Sequence, residues 1–229
     1  MTLAIVIPCY EAAATIEDVV AGARASGHPV IVVDDGSTDG SGARAEGAGA
    51  TVLRHPANQG KGAALRTGFL WARRHGADAV LTLDADGQHD PAEIPTLVDA
   101  HRADPEAFVI GVRSFSKDSM PRRSRIGNRI STYWIARFAG QRYADTQSGF
   151  RIYPHALLDL PRMRTTRFDT EAELLITAAK LGLPLVEVPV RTIYGASRTT
   201  HFHGLKDTLR VMRLVIGSPL WHRGPGRPR

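Results

Sequence analysis

Five short apolar runs, separated by helical patterns, occupy the first 113 residues, and no other feature restricts the possible folds as much. The runs LAIVIP (3–8), PVIVVD (29–34), ATVLRH (50–55), AVLTLD (79–84) and AFVIGV (107–112) are strand-length and apolar almost throughout. Helical periodicity is expected between them over 13–26, briefly over 41–46, and then over 60–75 and 91–104. Asp90 is placed to cap the last of these, with Pro91 at its first position. A strand apolar on both faces needs cover on both faces. The expected architecture is therefore an α/β sandwich of three layers, Rossmann-like, with a mostly parallel central sheet.

Ligands of such sheets bind beyond the carboxyl ends of the strands. Two of the expected ends carry acid, VVDDGSTDGS at 32–41 and LTLDADGQHD at 81–90. Asp84 and Asp86 stand one residue apart and would repel unless something positive sat between them. Carboxylates at i and i+2, released from a strand end, can surround one hard divalent cation that keeps open positions for substrate phosphates. A turn rich in Asp is the plainer alternative.

The charge is unevenly distributed. Residues 1–110 hold eight Lys+Arg against fifteen Asp+Glu, a net −7, and residues 111–229 hold twenty-one against eight, a net +13. Cation handling in the first half and an anionic partner for the second is the reading this asymmetry suggests. Nucleic acid, a phosphorylated substrate and an anionic membrane surface all fit that partner, as does a plain basic surface. A single cysteine, Cys9, excludes an internal disulfide and suits a reducing cytoplasm. No apolar run approaches the roughly 20 residues of a membrane span, and MTLAIVIPCY lacks the basic start and cleavage site of a signal peptide.

After Arg113 the pattern changes. The stretch SFSKDSMPRRSR reads as a basic loop, 126–140 as a helix, and DTQSGFRIY as a turn entering a short strand. A helix over 169–182 ends at Gly182, a strand follows over 185–194, and 205–217 forms an amphipathic helix. NQGKGAALRTG (58–68) satisfies neither phosphate-loop pattern. His55 and Gly62 stand where a Walker A loop needs Gly and Ser/Thr, and Leu65 stands where the dinucleotide fingerprint needs its third Gly. Close backbone packing at a helix start is the reading kept for it, with an anion site as the alternative. The histidines of HFH (201–203) lack a second cluster at zinc-like spacing.

The motifs IVIPCYE, VVDDGSTDGS, NQGKGAALRTG, LDADGQHDP, GVR, DTQSGFRIY, FDTEAELL and VPVRTIYGASR occur in an ordered series over about residues 3–204. In that order the sequence resembles family 2 glycosyltransferases of GT-A fold, most closely the dolichol-phosphate mannosyltransferase-like, polyprenyl-phosphate glycosyltransferase branch. The resemblance implies a single GT-A domain over 1–217, with a nucleotide-sugar and metal half (1–113) and an acceptor half (114–217), before a flexible basic tail at 218–229. It implies that Pro8, Tyr10, Glu11, Asp34 and Asp35 wall the base and ribose of a nucleoside diphosphate sugar. Asp84, Asp86 and Gln88 would hold Mg²⁺ or Mn²⁺ on the donor diphosphate, with Asp86 catalytic. Arg113, Arg122 and Arg123 would grip the phosphate of a polyprenyl phosphate acceptor. Arg198 stands where GxSK enzymes carry lysine, near the diphosphate. Asp145 opens DxxSGFR beside the acceptor, where it either positions a phosphate nucleophile or serves a hydroxyl nucleophile as base.

Two departures are visible. The family's first motif usually reads I-P-x-Y-N-E, whereas here Glu11 takes the Asn place and Ala12 the Glu place. The mannosyltransferases also carry Arg at the place of Thr192; Arg191, one residue off, faces the other side of a strand and is no safe substitute. The implied reaction is inverting transfer of a hexosyl group, mannose or glucose, at the cytoplasmic face of a membrane. The protein would touch that membrane peripherally through the basic loop, Tyr133, Trp134 and Ile135, with a membrane-spanning partner as an option and without nucleic acid. The alternatives are a transferase with a soluble acceptor, such as phosphoglycerate or a glycan, and a degenerate nucleotide-sugar-binding or anchoring module.

Overall fold

The computed structural model describes residues 2–113, 132–133, 135–137, 139–158, 165, 169–191 and 193. Strands β1 (Leu3–Cys9), β2 (Val30–Asp34), β3 (Thr51–Arg54), β4 (Ala79–Thr82), β5 (Phe108–Arg113), β6 (Arg151–Pro154) and β7 (Leu185–Val190) form one sheet in the order β3-β2-β1-β4-β6-β5-β7. Helices α1 (Ile16–Arg24), α2 (Ser41–Gly47), α3 (Lys61–Arg74), α4 (Ile94–Ala103), α5 (His155–Leu158) and α6 (Asp169–Leu181) connect and cover it. The described residues between 132 and 139 are also helical.

All seven residues of β1 and all five of β2 are buried, which is why both read as unbroken apolar runs. Their side chains alternate between two cores. Leu3, Ile5, Ile7 and Cys9 meet α1 and α4 on one face, while Ala4 and Val6 meet α3 and α6 on the other. Strand β3 lies at the edge, and its ends Thr51 and Arg54 are exposed. Asp90 accepts from the Ala92 N–H (3.0 Å) and starts the 3₁₀ turn Pro91–Glu93 that runs into α4. Several elements are shorter than the sequence suggests. The first helix begins at Ile16, β4 stops at Thr82, and the last strand stops at Val190.

Two topological details position the site. Strand β1 is parallel to β2 on one side and to β4 on the other, so the strand order reverses there and the exits of β1 and β4 open a crevice. Strand β6, antiparallel, is inserted between β4 and β5. Its reversed direction sets its beginning against the end of β4, with Thr82 opposite Arg151, and near the end of β5, with Ile110 opposite Arg151. The loop entering β6 therefore opens on the acidic loop leaving β4. The expected 114–125 loop, the first residues of the expected 126–140 helix, the expected 205–217 helix, the HFH segment and the 218–229 tail lie outside the described residues.

Candidate active site

The chain leaves the sheet after Leu83, whose N–H still donates to the Val6 carbonyl (3.2 Å). It then turns at Gly87, whose φ of 72° falls in the left-handed region that favours glycine. The Gln88 N–H donates to Asp86 Oδ1 (2.9 Å), so the turn takes one oxygen of that carboxylate. Downstream, the Ile193 N–H donates to the Gln88 carbonyl (2.9 Å), bringing the exit of β7 onto the acidic loop.

The positive charge demanded by the acidic pair is present in the fold. Lys61, the first residue of α3, places Nζ 2.6 Å from Asp84 Oδ1 and 2.8 Å from Glu171 Oε1 on α6. His89, 3% exposed, lies with Nε2 3.7 Å from Asp84 Oδ2. The two acids therefore differ in electrostatics. Burial works against the charge of Asp84, but the Lys61 ammonium and the His89 ring together outweigh it and hold the carboxyl far below the usual range. Asp86 is pushed up, first by burial and then by the charge of Asp84. Lys61 is itself held above the ordinary range, because Asp84 and Glu171 outweigh its burial.

A backbone cradle fixes Asp84 from the other side. A Cβ built on Gly149 would come within 2.6 Å of Asp84 Cγ and Oδ1, so only glycine permits this approach. Thr82 Oγ1 donates to the Gly149 carbonyl (2.7 Å) and keeps the loop at that height. Beneath it, Arg151 is fully buried and donates to the carbonyls of Ser148 (Nε, 2.6 Å), Thr146 (Nη2, 2.8 Å) and Glu171 (Nη1, 3.0 Å). Gly149→Ala is expected to destabilise the fold by about 1–3 kcal/mol through this overlap. In an Asp84→Ala background the same change should cost almost nothing, and urea unfolding of the four proteins measures the coupling.

The neighbouring wall comes from the exits of β1 and β2. Pro8 is buried within β1, and Tyr10 is 38% exposed. Glu11 adopts φ 50° and turns its carboxylate into the next loop, where Oε1 accepts from the Thr38 N–H (2.7 Å) and hydroxyl (3.1 Å). Asp34 and Asp35 are 5% and 3% exposed. Asp34 Oδ1 accepts from the Ser37 N–H (2.9 Å). Asp35 accepts from His55 Nδ1 (2.7 Å) and from the N–H groups of Gln59 (2.9 Å) and Gly60 (2.7 Å). Its charge thus caps the start of α3, where Gly60 offers no side chain, and holds the turn that delivers Lys61.

On the β5 side Arg113 meets Asp145 in a two-pronged pair, Nε to Oδ2 at 2.7 Å and Nη2 to Oδ1 at 3.1 Å. Asp145 is 4% exposed; burial opposes its charge, and the guanidinium overrides this and holds the carboxyl below its ordinary range. Thr132 and Thr146 hydroxyls lie 2.8 Å apart and tie the 132–139 helix to this loop. Ile135 is fully buried and belongs to the core, whereas Tyr133 is 63% exposed. This corrects the placing of Ile135 at a membrane interface: its side chain packs under the sheet. Arg191, itself exposed, turns to the largely buried carboxylate of Glu93 (2.6 Å).

The structure thus gathers Asp84, Asp86 and Gln88 in one loop and pairs Arg113 with Asp145 beside it. Arg122, Arg123 and Arg198 lie outside the described residues, as do Trp134 and Thr192. Sequence reading missed Lys61, Glu171, His89 and Arg151. NQGKG and FDTEAELL were visible as motifs, but nothing local indicates that their charges meet.

The acidic loop suits a cation that takes few protein ligands. Among the described residues no group of three or more His, Cys, Asp or Glu could hold a metal. Asp86, with one oxygen outside the turn and a raised pKa, signals unmet negative charge. One or two carboxylates, completed by substrate phosphates and water, is the ligation expected of Mg²⁺ or Mn²⁺. The residues present fit such an ion.

Residues 4–160 match the family model described as glycosyl transferase family 2. The chain is 29% identical over 243 residues to the UDP-N-acetylglucosamine–dolichyl-phosphate N-acetylglucosaminyltransferase of Methanococcus voltae, covering 94% of this chain and 97% of that one. It is 30% identical over 172 residues to the undecaprenyl-phosphate mannosyltransferase of Micrococcus luteus, covering 70% of each. Among solved structures it is similar to glucosyl-3-phosphoglycerate synthase from Mycobacterium tuberculosis in complex with Mn²⁺, uridine diphosphate and phosphoglyceric acid. That match has a TM-score of 0.73 and 25% identity, over 96% of this chain and 77% of that chain.

Proposed function

The chain belongs to glycosyl transferase family 2, and on that premise we propose that this GT-A glycosyltransferase passes a hexosyl group from a nucleoside diphosphate sugar to a polyprenyl phosphate, with inversion. The sugar is mannose or glucose, and the ion is Mg²⁺ or Mn²⁺ on Asp84 and Asp86. The reaction takes place at the cytoplasmic face of a membrane that the protein contacts peripherally. Among the described residues no helix is long and apolar enough to cross one.

The observation that carries this reading is the state of Asp145. Its carboxylate is held by both prongs of Arg113 and kept below the ordinary range, which makes it a poor proton acceptor. A hydroxyl nucleophile needs a base. A phosphate monoester, with a second pKa of about 6, is largely dianionic at neutral pH and needs none. The pair therefore suits an acceptor that has to be oriented and not deprotonated. The polyprenyl-phosphate transferases among the relatives support the same acceptor class.

Each group then has a defined task. Tyr10 offers an exposed ring to the base, while Asp34, Asp35 and Glu11 hold the loops that form that wall. Lys61 keeps Asp84 ionised and aligned, and Asp86 offers its unsatisfied charge to the ion. The bound cation supplies Lewis-acid stabilisation of the charge building on the departing diphosphate. Arg113 and Asp145 hold the 145–149 loop across from it, and Arg122, Arg123 and Arg198 supply the remaining positive charge to acceptor and donor phosphates.

Asp145→Asn provides the test. With undecaprenyl or dolichyl phosphate as acceptor, kcat should fall by no more than about tenfold, whereas loss of a general base costs roughly 10²–10⁴-fold. A loss in that larger range would favour the soluble-acceptor reading, which the likeness to glucosyl-3-phosphoglycerate synthase favours independently. Binding of GDP or UDP sugars without transfer to any lipid phosphate would favour the binding-module reading.

A further inference from the structure

The ammonium of Lys61 occupies the carboxylate that the divalent ion is assigned to. It contacts Asp84 Oδ1 at 2.6 Å, the Gly149 backbone crowds the same carboxylate, and His89 stands at its other oxygen. The Asp84 and Lys61 side chains are only 23% and 16% exposed, which limits the directions from which an ion can approach. An ion can gain full use of Asp84 only where the ammonium yields.

The fold provides for that. Lys61 has a second partner, Glu171 Oε1 at 2.8 Å, on a different helix. Without Glu171, releasing Asp84 would strand a buried, unpaired ammonium, which is strongly unfavourable. With it, the lysine keeps one carboxylate while giving up the other. The ammonium stands between Asp84 and Glu171, within 2.8 Å of each, so an ion that takes Asp84 leaves Lys61 with a partner already in contact. Both ends of the clamp are fixed, Lys61 by the Asp35-capped start of α3 and Glu171 through its carbonyl on Arg151.

We propose that Lys61 is a displaceable resident counter-ion: it holds Asp84 in the nucleotide-free protein and retreats to Glu171 when a divalent cation binds, so the cation binds weakly until nucleotide accompanies it. This rests on the assignment of Asp84 and Asp86 to the cation in the proposed function, and its test separates the two.

The experiment is titration of Mn²⁺ alone, followed by the electron paramagnetic resonance of the free ion, against wild type and Lys61→Met/Glu171→Gln. The double substitution removes one charge of each sign, so a change in affinity reports displacement and not net charge. Roughly tenfold or greater tightening is expected, because the ion no longer competes with an ammonium in a poorly solvated site. Equal or weaker affinity overturns the inference. Wild-type protein crystallised with Mn²⁺ and UDP gives a second answer that needs no variant. Asp84 on the ion and Lys61 on Glu171 alone supports the inference, and Lys61 still on Asp84 overturns it. Mn²⁺ binding, measured with UDP present, that Asp86→Asn leaves unchanged overturns the cation assignment itself and the inference with it.

Discussion

Asp86→Asn is expected to lower kcat by at least roughly 10³-fold, about 4 kcal/mol of transition-state stabilisation, while leaving the chain as stable as wild type or slightly more so. The two halves of this expectation have one cause. Asp86 is charged against its surroundings, since burial and then the neighbouring Asp84 push its carboxyl up. A group whose ionisation the fold disfavours detracts from stability at neutral pH, so neutralising it relieves strain. Asparagine keeps an oxygen for the Gln88 N–H, so the turn survives. What it loses is the charge for the cation on the leaving diphosphate. Asp84→Asn should behave oppositely in stability, because it strips Lys61 of a partner at 2.6 Å. Initial rates with a nucleoside diphosphate sugar, together with urea unfolding of both variants, check the pair. Unchanged turnover in Asp86→Asn would remove the metal assignment, and equal stability losses would remove the asymmetry.

The second large effect concerns a residue that never meets substrate. Arg151→Met should lower the unfolding free energy by about 3–5 kcal/mol, a Tm fall on the order of 10 °C for a chain of this size. The guanidinium is fully buried at the start of β6 and satisfies three carbonyls that diverge from one another, those of Thr146, Ser148 and Glu171. Methionine matches the bulk but withdraws the guanidinium donors from all three carbonyls, two of them in a loop with no helical N–H to replace them. Arg151→Lys should recover only part of the loss, because a single ammonium cannot reproduce the planar fork. The effect should carry into the site, since the same carbonyls fix the loop that ends at Gly149 on Asp84. Equilibrium unfolding in urea measures it, and a loss below about 1 kcal/mol would show that the loop is held by other means.

Arg151 also marks where the sequence stops being informative. An arginine inside FRIY gives no local sign of burial, and its three partners come from the loop before it and from a distant helix. The same holds for Lys61. In NQGKGAALRTG it reads as an ordinary polar residue in a glycine-rich helix start, where the sequence points to close packing. Only the approach of α3 to the end of β4, and of α6 to both, turns it into a counter-ion. Glu11, Asp34 and Asp35 show the converse. Their motif is evident in sequence, yet the fold directs their carboxylates to backbone N–H groups and to His55, so they shape the wall through its loops.

The sequence by itself determined the alternation of strand and helix, the burial of β1 and β2 on both faces, the Asp90 cap, and the delivery of Asp84 and Asp86 beyond a strand end. These follow from periodicity and near-neighbour chemistry, which act over a few residues and are written in local order. Tertiary structure alone decided that β6 runs backwards between β4 and β5, that Arg113 closes on Asp145, and that Asp84 is neutralised in advance while Asp86 is not. Those outcomes depend on which charges a folded sheet brings within a few ångströms in a poorly solvated crevice. Coulomb energy there depends on distance in space, and distance along the chain carries no record of it.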